Sequence, residues 1–201
     1  MRLAPDVGRL FSSVRVGGGA HEQRASARAS ARECGWLPAC DVGSAATGQR
    51  ARGMNARFRP MSAADLAMIR PIEDASYSHP WSEGNFADSL KAGYSAWLLE
   101  EGDACLGYYV VMQVVDELHV LNLAVAPAQR RRGLGRRLLE HALAGARERG
   151  AVRALLEVRV SNAPAIALYR AEGFTDLAVR HAYYPADGGR EDALIMEKDL
   201  S

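Results

Sequence analysis

The stretch that decides the fold of this chain is Gln129-Arg130-Arg131-Arg132-Gly133-Leu134-Gly135-Arg136-Arg137. An apolar run typical of a strand precedes it, and a helical pattern follows it. The helix is predicted from apolar residues that recur at spacings of three and four before Gly150, namely Leu134, Leu138, Leu139, Ala142, Leu143 and Ala146. The stretch therefore connects a strand to the N-terminus of a long helix.

Five arginines crowd this helix start, where about half a positive charge and unpaired N–H groups are already present. They repel one another unless an anion joins them, and Gly133 and Gly135 leave room for backbone N–H groups to wrap around a phosphate. The alternative is a solvated basic helix end, which the helix dipole disfavours. The stretch thus predicts a ligand that carries several phosphates, with these candidate contacts: Arg130, Arg131, Arg132, Gly133, Leu134, Gly135 and Arg136.

Two common phosphate-binding motifs are excluded. The stretch lacks the G-x-x-x-x-G-K-[ST] pattern of a Walker loop. It also lacks the third glycine and the later acidic residue of a dinucleotide-binding fingerprint. A P-loop enzyme and a Rossmann enzyme are therefore not expected.

The patterns on either side predict an α/β (α+β) fold with a mixed central sheet. Seven strands are predicted, at residues 56–60, 94–100, 105–115, 118–125, 154–160, 177–184 and 192–198. Four helices are predicted: one capped by Ser62, one capped by Ser82, the long one after Gly133, and one at residues 163–171. Pro71 is expected to break or kink the first helix, and residues 185–190 to form a loop. The order of elements is β-α-α-β-β-β-α-β-α-β-β.

Composition bounds the class of protein. The chain has 201 residues, 48% of them hydrophobic, and a formal net charge of +1, which predicts one compact domain and argues against bulk nucleic-acid binding. No run of about 18 apolar residues occurs, so a transmembrane helix is not expected. Three cysteines are too few for a disulfide framework, and Cys105 suits a buried thiol in a reducing cytoplasm. No His, Cys, Asp or Glu cluster has metal-ligand spacing, so no metal is predicted.

Residues 1–53 differ from the rest of the chain. They hold eight Arg, no Lys and four acidic residues, which leaves 17 basic and 20 acidic residues for 54–201. They lack apolar periodicity, so we expect a disordered or non-native extension, the latter translated from a misplaced start, with an organellar transit peptide as the alternative. Cys34 and Cys40 lie in this part, and the folded domain is expected at residues 54–201.

The pattern Arg-x-x-Gly-x-Gly between a strand and a helix, in this order of elements, resembles the acetyl-CoA pyrophosphate loop of the GNAT superfamily of N-acetyltransferases. Further motifs are similar to its RimI-type branch, which acetylates the N-terminal alanine of a small-subunit ribosomal protein. They are Leu156-Glu157-Val158-Arg159-Val160-Ser161-Asn162-Ala163-Pro164-Ala165-Ile166-Ala167-Leu168-Tyr169, Gly173-Phe174, His79-Pro80-Trp81-Ser82-Glu83, Asn122-Leu123-Ala124-Val125, Tyr183-Tyr184-Pro185 and Gly189-Arg190-Glu191-Asp192-Ala193. The resemblance covers about residues 56–199.

The resemblance implies a GNAT fold and direct acetyl transfer from acetyl-CoA to the N-terminus of a ribosomal protein, in a ternary complex. It implies a cytoplasmic enzyme, expected to be a monomer, that binds neither nucleic acid nor a membrane. Two alternatives stay open. One is a GNAT enzyme that acts on a small amine or on protein lysine, and the other is a non-catalytic CoA-binding module.

Glu157 is implied as the general base and Tyr169 as the general acid. The apolar neighbours of Glu157 in sequence are expected to desolvate its carboxylate, which suits a base near neutrality. From the residues alone, an ion pair with Arg159 is the favoured role, and the resemblance reverses this preference. A phenol can protonate a leaving thiolate, although Tyr169 could also simply pack beneath Phe174.

The remaining candidates surround these two. Asn162 is expected to cap a helix, alone or while also contacting the cofactor. The resemblance implies that the backbone of Leu123, Ala124 and Val125 pairs with the pantetheine arm like an added strand and that a free N–H there polarises the thioester. The expected substrate-binding residues are Trp81, Tyr183 and Tyr184. His119 is a candidate second base, although a core role is commoner, whereas His141 and His181 are expected at the surface.

Overall fold

The computed structural model describes residues 55–201, and the expectations for residues 1–53 lie outside them, Cys34 and Cys40 included. Its helices are α1 (Leu66–Asp74), α2 (Glu83–Lys91), α3 (Leu134–Glu148) and α4 (Ala163–Ala171). Its strands are β1 (Arg57–Pro60), β2 (Ser95–Glu101), β3 (Ala104–Val114), β4 (Glu117–Val125), β5 (Arg153–Arg159), β6 (Thr175–Ala186) and β7 (Gly189–Asp199). The described residues follow the predicted order of elements.

The seven strands form one mixed sheet in the order β1-β2-β3-β4-β5-β7-β6. Neighbouring strands are antiparallel except β4 and β5, which are parallel. These two pair only through residues 117–120 and 153–156, after which they separate. We call the space between residues 121–125 of β4 and 157–159 of β5 the inter-strand gap. The predicted mixed α/β sheet is confirmed.

A β-bulge at the start of the gap changes the face of the sheet on which the following β4 side chains lie. Leu121 is the extra residue, because the register with β3 passes directly from Val120 to Asn122. A one-residue insertion moves the following side chains to the other face of the sheet. Val120 accordingly packs in the core with α3, whereas Ala124 packs in the core beneath α1 and α2. The bulge thus aims the polar Asn122 towards α1.

Helices cover both faces of the sheet. All six residues of the predicted apolar stripe are buried where α3 packs on one face, joined by Ile166 and Tyr169 of α4. On the other face, α1 and α2 bury Ile69, Ile72 and Phe86. Each large apolar side chain buried in this way stabilises the fold by about 1.5–3 kcal/mol. The two cores hold the inter-strand gap between rigid layers.

Two predictions about element ends are wrong. Pro71 lies inside α1 and does not end it, because Ile69 and Ile72 keep the helix packed on the sheet and outweigh the hydrogen bond that proline removes. Residues 185–190 are not a loop, since β6 and β7 stay paired up to the turn. Gly188 has a φ of +84° there, which permits a tight hairpin.

The expected surface position of His141 is also wrong. Its ring stacks on Phe58 with centroids 3.7 Å apart, and its Nδ1 lies 2.8 Å from the hydroxyl of Tyr109. His141 follows Leu138 by three residues on α3, so it sits at the border of the buried stripe and not on the solvent face. His181, in contrast, is exposed over 83% of its side chain and pairs with Asp192.

Candidate active site

Residues 129–136, which we call the arginine loop, present backbone N–H groups at the start of α3. Arg131 and Gly133 have φ values of 63° and 75°, so the backbone turns twice through the left-handed region that favours glycine. Gly133 is the N-cap of α3, no side chain caps this helix, and its first turn has no acidic residue. The first-turn N–H groups are therefore available to an anion.

Gly135 has a different role from Gly133. A Cβ at Gly135 would lie 3.2 Å from Cδ2 of Leu168 in α4, whereas a Cβ at Gly133 would meet nothing within 4 Å. Gly135 thus permits close packing between α3 and α4, and Gly133 permits the backbone turn. The side chain of Leu134 is buried in the core, so Leu134 and Gly135 can offer only backbone groups to a ligand.

The arginines of the loop are not left to repel one another. Arg130 donates to the Val125 carbonyl at 3.2 Å and to the Ser76 hydroxyl at 2.9 Å, and Arg136 forms a 2.6 Å ion pair with Glu172. Outside the loop, Arg137 donates to a backbone carbonyl. The sequence argument assumed that the crowded arginines require an anion. These contacts show that crowding by itself does not require one. The exposed side chains of Arg131 and Arg132 remain at the loop surface.

The edge of β4 turns backbone groups into the inter-strand gap. The Ala126 N–H donates to a β3 carbonyl at 2.9 Å, and polar groups alternate sides along an antiparallel strand. Ala124 therefore also points its polar groups at β3, while Leu123 and Val125 point theirs at the gap. The Val125 carbonyl accepts from Arg130, which agrees with this direction. Leu123 and Val125 are the residues whose backbone can meet a ligand.

A buried network holds the segment between α1 and α2 against this edge. The Tyr77 hydroxyl lies 2.9 Å from the Leu123 carbonyl and 3.0 Å from Asn122 Oδ1. Asn122 donates at 3.2 Å to Glu73, which is 1% exposed. Glu73 also accepts the Trp81 N–H at 2.6 Å. Trp81, a predicted substrate contact, is thereby fixed near the gap.

Glu157 meets a different partner from the one that sequence spacing offered. Its Oε1 lies 2.8 Å from Nη1 of Arg180, and the two side chains are 16% and 26% exposed. Leu156 and Val158 point to the opposite face of β5 and lie in the core, because side chains alternate along a strand. Of the three apolar neighbours assumed from the sequence, only Leu155 therefore shares a face with this carboxylate.

Arg159 is engaged elsewhere, which excludes the ion pair with Glu157 considered above. Its Nη1 lies 3.0 Å from the Glu191 carboxylate, and its guanidinium carbon lies 4.5 Å from the centre of the Tyr184 ring. Glu191 accepts the Ser161 N–H at 2.8 Å. The Ser161 and Arg159 donors lower the pKa of Glu191. Arg159 thus ties the end of β5 to the β6–β7 hairpin.

Three phenols gather at the gap. Tyr169 is 8% exposed and lies beneath Phe174, as the packing alternative expected, with ring centroids 5.8 Å apart; burial raises its pKa to about 12. Burial also raises the pKa of Tyr184, and the neighbouring Glu157 carboxylate adds to the effect, followed by smaller effects of the nearby Tyr183 and Tyr169. Burial, again with Tyr169 nearby, raises the pKa of Tyr77. Tyr184 therefore lies near both proposed catalytic groups.

A wide bulge in the β6–β7 hairpin presents Tyr183 and Tyr184. The register passes from Arg180 to Tyr184 on β6 while β7 advances by only two residues, and Ala182 has a φ of 49°. The Ala182 N–H donates to Asp192 at 2.7 Å, and Arg190 donates to nearby β6 carbonyls. The motif at residues 189–193 thus stabilises the conformation that carries the two tyrosines.

Comparison with known proteins agrees with this geometry. Residues 66–174 match the acetyltransferase (GNAT) family. The chain belongs to the GNAT family. Acetyltransferases of this family take their acetyl group from acetyl-CoA, so the acetyl-CoA expectation is confirmed at the level of the family.

Two relatives and one solved structure illustrate the similarity. The ribosomal protein bS18-alanine N-acetyltransferase of Escherichia coli K12 is 41% identical over 137 residues, 68% of this chain and 93% of that protein. The protein of the same name from Haemophilus influenzae is 33% identical over 137 residues, again 68% and 93%. The crystal structure of the ribosomal-protein-S18-alanine N-acetyltransferase from Escherichia coli has a TM-score of 0.69 and 38% identity, covering 73% of this chain and 94% of that one.

Other candidates of this GNAT domain make contacts that stabilise the fold. Asn162 caps α4, and its side-chain oxygen accepts the Ala165 N–H at 3.3 Å. His119 lies 3.4 Å from Glu117, and burial lowers the pKa of His119. Burial raises the pKa of Cys105 to about 11, which opposes a nucleophilic role. Within residues 55–201, no helix is long and apolar enough to span a membrane, and no group of His, Cys, Asp and Glu is arranged to hold a metal ion.

Sequence reasoning missed Tyr77, Glu73 and Arg180 at this site. Glu73 follows the buried Ile72 in a short amphipathic helix, where an acidic residue is normally read as solvated. Arg180 lies on β6, and its partner depends on the register of three strands. Of these three residues, only Tyr77 could have been found from local sequence, because it lies two residues before the motif at residues 79–83.

Proposed function

We propose that this acetyltransferase transfers the acetyl group of acetyl-CoA directly to the N-terminal amine of an alanine-leading ribosomal protein of the bS18 kind. The observation that carries the proposal is that the Tyr184 hydroxyl donates to the Glu157 backbone carbonyl at 3.1 Å, which brings a substrate-rim tyrosine to the proposed base at the gap. Two relatives that are named for this reaction, at 41% and 33% identity, support the choice of substrate. A ribosomal substrate fits a cytoplasmic enzyme.

The donor would be bound mainly by backbone groups. The N–H groups of residues 133–136 suit its pyrophosphate, and Arg131 and Arg132 add positive charge at the loop surface. Leu123 and Val125 would pair with the pantetheine arm as an added strand. An N–H of this edge would donate to the thioester oxygen as negative charge develops there.

Glu157 would act as the base. It takes a proton from the α-ammonium group, whose pKa is about 7.7–8.0 in free peptides. The neutral nitrogen then attacks the acetyl carbon, so that an N–C bond forms and the C–S bond breaks. The amine loses its second proton to solvent, and the thiolate leaves with the electron pair of the C–S bond.

Tyr169 would donate to the leaving sulfur. Its pKa of about 12 keeps the phenol protonated at neutral pH. A free thiol has a pKa of about 8.5, so complete proton transfer to a free thiolate runs uphill by roughly three to four pKa units. We therefore infer that Tyr169 stabilises the developing charge by a hydrogen bond and gives up its proton late, after which solvent reprotonates the phenolate.

The peptide would enter between two rims. Trp81 lies on one side, where the Glu73 network fixes its backbone. Tyr183 and Tyr184 lie on the other, on the bulge of the hairpin. Aromatic walls of this kind hold a peptide backbone and leave room only for a small first side chain, such as that of alanine.

The test is incubation of the whole chain with labelled acetyl-CoA and peptides from ribosomal-protein N-termini that begin with Ala, Ser or Met. A peptide with a blocked N-terminus and an internal lysine, and a set of small amines, complete the panel. The proposal expects the alanine peptide to be labelled fastest, at its α-amine. Faster labelling of lysine or of a small amine contradicts it, and binding of acetyl-CoA without any transfer would indicate a non-catalytic module.

A further inference from the structure

The partner of Glu157 comes from two strands away. Glu157 is level with Ile195 of β7, which is level with Ala178 of β6. Arg180 lies two residues beyond Ala178, on the same face of the sheet. The backbones of β5 and β6 are about two strand spacings, or roughly 10 Å, apart. Only a long side chain can reach across β7 to the carboxylate, and Arg180 does so with its Nη1 2.8 Å from Oε1.

The guanidinium of Arg180 is held from a second side. Its central carbon lies 4.8 Å from the centre of the Tyr183 ring. Burial raises the pKa of Tyr183 to about 12, and the neighbouring Glu157 carboxylate adds to the shift. A cation stacked on an aromatic face and paired with a carboxylate loses little further order when a substrate arrives. Arg180 is therefore a fixed charge at this site.

The other charged or titratable groups near Glu157 are few among the described residues. Tyr183 and Tyr184 lie on β6, and His119 faces the carboxylate from β4. Burial lowers the pKa of His119, so its imidazole carries no charge at pH 7 and above. Arg159 lies two residues along the same face of β5 but is paired with Glu191, and Glu197 of β7 is level with Leu155 on that face. Among the described residues, Arg180 is thus the positive charge that is paired with the Glu157 carboxylate.

A carboxylate without a cationic partner holds an ammonium group in its charged form. Opposite charges about 4 Å apart stabilise one another, and at intermediate dielectric this raises the pKa of the amine by up to about three units. The enzyme would then hold its substrate as an unreactive ammonium ion. A guanidinium beside the carboxylate cancels most of this attraction.

We propose that Arg180 is a positioning residue that balances the charge of Glu157, so that the substrate amine is bound in its neutral, nucleophilic form. The inference rests on the proposed function, in that Glu157 is taken as the base. The ammonium proton passes by way of Glu157 to solvent before the attack, so Glu157 returns to its ionised form beside Arg180, and Arg180 neither gains nor loses a proton. Oε1 of the carboxylate faces Arg180, and the Tyr183 hydroxyl also hydrogen-bonds to this carboxylate.

The test compares Arg180→Gln with the parent enzyme, using steady-state kinetics from pH 6.5 to 9.5. At pH 7, kcat should fall about 10- to 100-fold while KM for the amine stays level or decreases, because the ammonium ion pairs with an unbalanced carboxylate. The loss in kcat should shrink towards pH 9.5, where the amine loses its proton to solvent. Arg180→Lys keeps the charge and should retain at least about a third of the parental kcat.

Two controls separate this role from a structural one. Arg170→Gln removes an arginine from the exposed ion pair with Asp176, which has the same residue types and lies on α4, and should leave kcat and KM unchanged. In Arg180→Gln alone, KM for the amine stays level or decreases. When Glu157→Gln is added, KM should rise above the parental value, since no carboxylate attracts the ammonium group.

The outcomes distinguish the inference from the proposed function. All variants are assayed with whichever amine the parent enzyme acetylates fastest. A lysine or small-amine preference contradicts the proposed function but still tests Arg180, whereas absence of any transfer contradicts both. If Arg180→Gln keeps the parental kcat, or raises KM with no recovery at high pH, the charge-balancing role is overturned.

Discussion

The arginine loop and the surroundings of Glu157 are both rich in charge, but they are assembled differently. The loop is one run of eight residues whose N–H groups are presented by its own backbone turns at Arg131 and Gly133. The Glu157 site needs side chains from β5 and β6, joined across β7. A change in the loop should therefore act on binding of the donor, and a change around Glu157 on proton transfer.

The largest expected effect is that of Glu157→Gln, which removes the base while keeping the size of the side chain. General-base catalysis contributes about 10²- to 10⁴-fold, so kcat/KM for an alanine-leading peptide should fall within that range at pH 7. Because solvent deprotonates the amine at higher pH, the deficit should narrow above about pH 8. A pH–rate profile of the variant beside the parent measures both effects.

Acetyl-CoA affinity supplies the control for this variant. Glu157 lies on β5, away from the arginine loop, so the Kd for acetyl-CoA should stay within about twofold of the parental value. If Glu157→Gln instead keeps the parental pH–rate profile, Glu157 is only the ion-pair partner of Arg180. The base would then be elsewhere, with His119 or a water chain as the next candidates.

Tyr169→Phe should have the second-largest effect, towards the lower end of the roughly 10²- to 10⁴-fold range of general acid–base catalysis, on kcat. The pKa of Tyr169, about 12, lies above its usual value near 10, so the proton-bearing form is present throughout the assay range and is lost only as pH rises towards 12. High pH should therefore not rescue the variant, in contrast to Glu157→Gln. Recovery in parallel with Glu157→Gln would refute separate roles for the two residues.

The difference between the two regions also explains what could be predicted from sequence. The arginine loop, the apolar stripe of α3 and the caps Ser82 and Asn162 are local patterns, and the structure has them as expected. The ion-pair partner considered for Glu157, Arg159, was wrong. The pairing of β5, β7 and β6 brings Arg180 to the same face of the sheet, and Arg180 is the partner. Local spacing carries no information about that pairing.

Buried polar networks were equally hidden. Glu73 is buried because the bulge at Leu121 turns Asn122 towards α1, where the two side chains pair. A bulge adds a single residue and leaves no clear trace in an apolar strand pattern.

Gly133→Val addresses the arginine loop and should have an intermediate effect. A β-branched residue at a φ of 75° is strained, at a cost of about 1–2 kcal/mol, and it alters the turn that presents the N–H groups. Acetyl-CoA affinity, measured by calorimetry, should fall about tenfold or more. Peptide KM, measured at saturating donor, should stay near the parental value if binding and proton transfer are separable.

Gly102→Val is the matched control for this substitution. Gly102 has a φ of +60° and, like Gly133, open space around its Cβ, but it lies in the turn between β2 and β3. Both variants should lose similar stability, and only Gly133→Val should lose affinity for the donor. Unchanged affinity in a folded Gly133→Val protein would contradict the assignment of the arginine loop to the pyrophosphate.

Asn162→Ala should have the smallest effect and decides between the two roles of this cap. Loss of an N-cap costs about 0.5–2 kcal/mol, so the variant should lose stability to about the same extent as Ser82→Ala, which removes the cap of α2. The side-chain oxygen of Asn162 is occupied by Ala165, which leaves its NH₂ group for the donor. One hydrogen bond contributes about 0.5–1.5 kcal/mol, so the Kd for acetyl-CoA should rise about 2- to 10-fold in Asn162→Ala and stay unchanged in Ser82→Ala. Equal Kd values in both variants would assign Asn162 to capping alone, and would leave donor binding to the backbone of the arginine loop and of β4.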